Sequence, residues 1–325
     1  MPNIQVCAMY QFVSLPDYAA LRTPLHQKMS ELNVRGTLLL AEEGINGTIA
    51  GLPDDVKALL AWLEQDKRFD GIGTKISYTN EMPFKRCKVK LKKEIVTMGV
   101  AGIDPNHTVG TYLDAQQWND LLDDPELLLI DCRNDYEFQV GSFDTAVNPN
   151  TTNFREFPAY LEKTLVGDKQ QKIAMFCTGG IRCEKSTAYL KEQGYENVFH
   201  LKGGVLQYLE DMDEAQTKWQ GECFVFDERV TVNHQLERGQ YDQCHACRMP
   251  ITKQDKLSEH FTQGTSCPHC FDQHTKAQKS AFAEREKQMQ LAKKRGNAHM
   301  GAEAAEHLMA VKKKPEEYAP LKGAE

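Results

Sequence analysis

The sequence predicts a multidomain chain of mixed class: an α+β sandwich, then an α/β domain on a parallel sheet, then a small module held by cysteines. Three observations predict it. The first 95 or so residues alternate short strands with two helices. Two continuous apolar runs, at 127–130 and 173–176, are bounded by turn signals and separated by helical segments, as in a buried parallel sheet. Two Cys-x-x-Cys pairs lie near residues 244 and 267.

Residues 4–13 are strand-like and 16–32 helical. Residues 36–41 and 45–50 bracket the turn Glu42-Glu43-Gly44, a helix starts at Asp54 or Asp55 and runs to about 65, and 74–79 is a further strand. This order predicts a ferredoxin-like (acylphosphatase-like) sandwich over residues 1–98. Residues 84–98 continue the sheet or lead out of it. Glu42, Glu43 and Asn46 are turn formers or substrate contacts, and turn formers is the simpler reading.

Arg86, Lys88, Lys90 and Lys92 alternate along a strand, so all four project from one face, with Lys85 and Lys93 nearby. Cations about 7 Å apart suit a nucleic-acid phosphate backbone. A solvated edge strand protected by lysines has the same pattern. The formal charge of the chain is -7, so contact with a polyanion must come from such a local patch.

Glycine and turn formers at 99–110 mark a boundary. Residues 99–121 are assigned to a linker and a lead-in helix, and 122–218 to the α/β domain. Its strand at 173–176 ends at Cys177, followed by Thr178-Gly179-Gly180-Ile181-Arg182 and a helix over 184–193 closed by Gly194. The glycines allow inward-facing N–H groups, the helix N-terminus adds positive potential, and Arg182 adds a charge. Together they favour the Cys177 thiolate, expected to be anionic and reachable. Four residues separate Cys177 from Arg182, one fewer than in the Cys-x5-Arg loop that wraps a phosphate. The tighter loop suits a terminal sulfur. Cys183 is a second redox thiol acting on Cys177, or a helix-start thiol with no role.

The chain has 325 residues and ten cysteines, 41% of it apolar and 26% charged. A chain of this length buries its own core without disulfide staples. Cys7, Cys87 and Cys132 lie in strand-like runs and read as inert small hydrophobes. No apolar run reaches the roughly 18 residues of a membrane span, and the first residues do not resemble a secretory signal, so a cytoplasmic protein without membrane contact is expected.

Cys244, Cys247, Cys267 and Cys270 have the spacing of a zinc-ribbon-like module, assigned to 219–275. Four thiolates close the coordination shell, so the metal would be structural. His245, His260 and His269 are bystanders or substitute ligands. Residues 276–325 form a charged tail: 276–295 is helical and ends in Lys293-Lys294-Arg295, which complements the helix dipole or touches RNA. The last 30 residues, with Lys312-Lys313-Lys314, are expected to be poorly ordered.

The middle of the chain resembles the rhodanese family. Asp131-Cys132-Arg133, Glu137, the segment 141–148, the Cys177 loop and the closing Leu201-Lys202-Gly203-Gly204 carry the likeness, with Ser142 and Thr145 in place of the usual histidine and glycine. Cys177 then corresponds to the persulfide-forming cysteine. With Ala41-Glu42-Glu43-Gly44-Ile45-Asn46-Gly47, Arg86-x-Lys88-Val89-Lys90, the extended loop through Lys185 and the segment 224–229, the chain is similar to the rhodanese-domain tRNA uridine hydroxylases over about residues 1–275. That resemblance implies oxygen-dependent conversion of the wobble uridine to 5-hydroxyuridine, tRNA as partner, and a protein that donates electrons or sulfur. The alternative is a sulfurtransferase carrying a persulfide on Cys177.

Overall fold

The computed structural model describes residues 3–295. They form two compact units, one running to Gln243 and including Met249–Lys253, the other made of Cys244–Arg248 and the described residues from Gln254 onward. The expected disorder of the tail falls outside the described residues.

The N-terminal part of the first unit contains β1 (Ile4–Phe12), α1 (Tyr18–Glu31), β2 (Arg35–Ala41), β3 (Gly44–Gly51), α2 (Pro53–Leu63), β4 (Gly73–Thr79) and β5 (Cys87–Leu91). Its sheet order is β4-β1-β3-β2-β5. The first four strands pair antiparallel in the ferredoxin-like manner, and β5 adds to β2 in parallel. Thus 84–98 does both things expected of it: its middle extends the sheet and its end leaves. Helix α2 starts with Pro53, whose missing N–H costs nothing there, and Asp54 and Asp55 complement its positive end. Val56, Leu59 and Leu63 recur at helical spacing and bury. They join Cys7, Met9, Leu38, Ile45 and Ile49 in one core. Strand alternation sends Ala8, Tyr10, Leu39, Asn46 and Thr48 to the other face.

The central part contains β6 (Thr111–Leu113), α3 (Ala115–Leu121), β7 (Leu128–Asp131), α4 (Asp135–Val140), β8 (Gly141–Phe143), α5 (Phe157–Thr164), β9 (Ile173–Phe176), α6 (Ile181–Glu192), β10 (Val198–Leu201) and α7 (Gly204–Asp211). Its parallel sheet runs β6-β10-β9-β7. The expected lead-in helix is corrected: Thr111–Leu113 is a strand of this sheet, because Thr and Tyr favour extended backbone and the helix cannot start before its cap. Asp114 accepts from the Gln117 N–H and the Gln117 side chain accepts from the Asp114 N–H, a reciprocal box that sets the start.

The boundary placed at 219 also shifts. Strand β11 (Trp219–Gly221) pairs with β8, and β12 (Cys223–Phe224) pairs with β13 (Thr231–Val232), all within the first unit. Trp219 packs on Phe143 and under the Arg133 guanidinium, which ties this stretch to the central core. Two further short strands, β14 (Asp242–Gln243) and β15 (Pro250–Ile251), pair at the end of this unit. In the second unit the main helix is α8 (Lys276–Lys294).

The two halves of the first unit are joined by buried charge. Lys185 on α6 is 1% exposed, and its ammonium donates to Glu43 at 2.7 Å, to Glu94 at 2.7 Å and to the Val96 carbonyl at 3.2 Å. Glu43 is therefore more than a turn former: it holds a cation across the domain junction. Asn46 donates to the Ile95 carbonyl at 2.8 Å. Among the described residues no helix is long and apolar enough to cross a membrane.

Candidate active site

Strand β9 delivers Cys177 to the C-terminal edge of the parallel sheet, where open α/β sheets place their sites. The chain then turns through Gly180, at φ 101°, into α6. A side chain at 180 would also strike the Tyr10 hydroxyl at 2.7 Å. Gly204, at φ 68°, lets α7 approach: a Cβ there would lie 2.5 Å from the Cys177 carbonyl oxygen. That approach allows the Val205 and Leu206 N–H groups to donate to the Cys177 and Thr178 carbonyls at 3.0 and 3.1 Å. Gly203-Gly204 thus clamps the loop from behind.

The Gly180 N–H donates to the Cys177 sulfur at 3.2 Å. Burial opposes ionisation of this thiol, but a hydrogen bond from the Cys183 thiol, the Arg182 charge and the N–H groups of Cys183 and Gly180 outweigh it, lowering the pKa from 9.0 to about 6. Cys183 goes the other way. Burial and its contacts with the Cys132 and Cys177 thiols push its pKa well up, so it stays protonated and donates. Cys132, expected to be inert, is thereby part of a three-thiol cluster.

Arg182 supplies the expected charge to the sulfur, and the structure adds what holds it in place. It makes a bidentate pair with Glu137, at 2.7 and 2.8 Å, and also reaches Thr178 Oγ1 at 3.3 Å. Glu137 exposes no surface. The pair braces the loop, and the guanidinium acts on Cys177 from that fixed place. Beside it, Arg133 pairs with Asp131 and donates to the Gly141 carbonyl, while Ser142 donates to Asp131 at 3.2 Å. The serine so keeps the Asp131–Arg133 corner bonded.

A cavity of about 610 Å³ opens over the loop. One wall is the sheet face carrying Ala8, Tyr10, Leu39, Asn46 and Thr48, and the opposite wall holds Cys177, Thr178, Gly179, Ile181, Arg182 and Glu184. Cys177 lines this space yet has no exposed area, so the expected reachable thiol is corrected to a buried one at the border of the cavity. Phe226, 61% exposed, stands at the rim 6.0 Å from the Arg182 guanidinium. Its segment is held by the Asp227–Arg229 pair and by Arg229 donating to Ser77. Lys75 and Lys202 add positive charge to the walls.

The basic row divides. Thr37 pairs with Lys88 and Leu39 with Lys90, and Thr37 and Leu39 line the cavity. Paired residues on neighbouring strands share a face, so Lys88 and Lys90 extend the cavity wall to the edge of the sheet. Arg86 and Lys92 continue the ladder on either side and are exposed. Lys85 instead pairs with Glu228 at 3.0 Å and is partly buried.

Tyr10, Lys75, Glu184, Lys202 and Phe226 had been given no role in the sequence. Strand alternation on β1 was the one available signal for Tyr10. Glu184, Lys202 and Phe226 lie in segments that carry the family resemblance, but their place on one cavity is set only by the tertiary structure.

In the second unit the sulfurs of Cys244, Cys247, Cys267 and Cys270 all lie within 4.8 Å of one another, with three of the pairs at 3.7–4.0 Å. Zinc–sulfur bonds of about 2.3 Å in a tetrahedron require sulfurs roughly 3.8 Å apart, so the four fit such an ion. Two of the histidines are engaged elsewhere: His260 stacks on Phe271, and His269 faces Asp255 at 4.0 Å.

Residues 4–95 match the family model of the UPF0176 acylphosphatase-like domain, and residues 114–211 match that of the rhodanese-like domain. This is the domain pair of the rhodanese-domain UPF0176 family. Solved structures similar to part of this UPF0176-type chain include the Alr3790 protein of Anabaena sp., at 19% identity over 34% of this chain and 91% of that one, TM-score 0.28. The Saccharomyces cerevisiae single-domain sulfurtransferase RDL2 matches at 16% identity over 32% and 92%, TM-score 0.27. The human single-domain sulfurtransferase TSTD1 matches at 18% identity over 32% and 99%, TM-score 0.27.

Proposed function

We propose that this protein is a tRNA-modifying enzyme that hydroxylates the wobble uridine to 5-hydroxyuridine, with Cys177 engaging the pyrimidine ring. One observation carries the reading beyond sulfur transfer: the cavity over Cys177 is walled by both the rhodanese loop and the N-terminal sheet. A carrier of a single sulfur atom does not require a second domain over its loop, whereas a nucleotide fills a space of this order. Phe226 at the rim offers a face on which a base stacks, and Lys88, Lys90, Arg86 and Lys92 lie along the edge of the same sheet face, where a phosphate backbone would run. Cys183 supports the reaction as a donor to the Cys177 thiolate. Molecular oxygen is the co-substrate, a partner protein supplies electrons or sulfur, and the site of action is the cytoplasm.

The second reading is a sulfurtransferase. The compact loop from Cys177 to Arg182, with N–H groups aimed at one sulfur, is what favours it. Mass spectrometry of wobble nucleosides from cells lacking the protein separates the two. Loss of 5-hydroxyuridine and its derivatives is expected. Normal levels, in cells without another route to that nucleoside, would leave sulfur transfer.

The four-cysteine cluster is proposed to hold one structural zinc ion per chain. Elemental analysis of freshly purified, reduced protein should find about one equivalent, and each Cys→Ser variant of the four should lose it. Metal-free protein with an intact fold would overturn this.

A further inference from the structure

Glu184 is the carboxyl of the cavity that is not committed to a cation in the contacts described. It sits in the first turn of α6, with its N–H bonded to the carbonyl of Gly180, whose own N–H touches the Cys177 sulfur. Tyr10, from the opposite wall, donates to its Oε1 at 2.8 Å. The other acids near the loop are engaged: Glu137 with Arg182, Asp227 with Arg229, Glu43 and Glu94 with Lys185. Lys75 hydrogen-bonds the Thr74 carbonyl of its own strand.

The groups facing Glu184 are the Tyr10 and Tyr112 hydroxyls and the Cys177 sulfur. Burial raises its pKa; the tyrosine hydrogen bonds lower it in part, and the Cys177 anion raises it further. The carboxyl is thereby brought toward neutrality, where it can both give and take a proton.

We propose that Glu184 is the proton-carrying catalytic residue of the reaction, exchanging a proton with C5 of the uracil ring while Cys177 is bonded to C6. The inference rests on the wobble-uridine reading. The Cys177 thiolate pair forms the S–C6 bond, and the C5–C6 π pair moves to C5 and O4 as an enolate. Water on the opposite face of the ring then gives a proton to C5 and leaves hydroxide. The Glu184 carboxylate removes the original C5 hydron from its own side, the C5=C6 bond re-forms, the C6–S pair returns to sulfur, and the resulting carboxylic acid gives that hydron to the hydroxide. This cycle consumes no oxidant. In hydroxylation, the C5 enolate instead bonds one atom of O2. Two electrons from the donor protein and three protons from water cleave the O–O bond, release the other atom as water and leave a hydroxyl on C5. The Glu184 carboxylate then removes the C5 proton as the C5=C6 bond re-forms and the thiolate leaves.

The test uses the full-length protein and tRNA deuterated at C5 of uridine, incubated without oxygen, with deuterium at the wobble position read by mass spectrometry. The wild-type protein should wash the deuterium out. Glu184→Gln should slow the loss by about 100-fold or more, the usual worth of a general acid–base group. Glu184→Asp should keep part of the rate and move its pH profile. Alkylation of Cys177 within about twofold of the wild-type rate marks an intact loop in each variant; if Glu184→Gln fails that check, Glu184→Asp decides by whether its pH profile moves. Exchange by Glu184→Gln at the wild-type rate overturns the proposal. So does a wild-type protein that makes 5-hydroxyuridine in air yet exchanges nothing without oxygen. A wild-type protein that does neither overturns the wobble-uridine reading, and the proposal falls with it.

Discussion

Cys177→Ser is expected to reduce 5-hydroxyuridine in tRNA by about three orders of magnitude or more, the scale on which loss of a nucleophile acts. The loop is built for a sulfur anion. Its N–H groups, the Cys183 thiol and the Arg182 charge bring the Cys177 pKa to about 6. A serine hydroxyl in the same place stays protonated throughout the working pH range, so the donors face a neutral oxygen and the ring has no nucleophile. The pH dependence follows. The active thiolate is lost as pH falls through about 6, so the wild-type rate should have an acid limb there. The same depression links to stability: the folded form favours the anion, so this contribution is complete above the unfolded thiol's pKa near 9.0 and fades as pH falls toward about 6. Complementation of a deletion strain with the serine variant, followed by nucleoside mass spectrometry, checks the central claim. Product near the wild-type level would remove Cys177 from the reaction.

Glu137→Gln is expected to cost the first unit about 3–5 kcal/mol, because the Arg182 guanidinium would remain buried without its counter-charge. Both side chains are nearly or fully enclosed, 8% and 0% exposed, and joined by two bonds of 2.7 and 2.8 Å. Urea unfolding followed through the aromatic cluster around Trp118 and Trp219 measures the loss. A change under about 1 kcal/mol would show that water reaches the pair. Burial pushes the Glu137 carboxyl up, yet the Arg182 charge and hydrogen bonds, with help from Arg133 and the Asn134 N–H, bring it below its ordinary 4.5. A carboxyl depressed on folding stabilises above its unfolded pKa, and the contribution is lost as pH falls through the folded one. The wild-type protein should therefore lose this support only in acid, and the glutamine variant should lack it at neutral pH.

Much of this was legible because it is local. The apolar runs ending at Asp131 and Cys177, the glycines of the loop and the paired cysteine knuckles are patterns within a few residues, and the parallel sheet, the loop and the four-sulfur cluster follow from them. The start of the central domain was misplaced for a related reason. Three residues of strand before a capped helix are too few to show period-two alternation. Lys85, expected to add charge beside the basic row, is instead taken up by Glu228, far along the chain.

By itself the amino-acid order determined most element types, the thiolate loop and the paired cysteine knuckles, since backbone preference and short-range spacing need no distant partner. Only the tertiary structure decided what faces Cys177. Tyr10 meets Glu184 across 174 residues and Glu43 meets Lys185 across 142, and no periodicity encodes a contact whose two halves belong to separate domains. Burial then decides the chemistry, because a cysteine or a carboxyl changes its proton affinity with the groups packed around it, not with its neighbours in the chain.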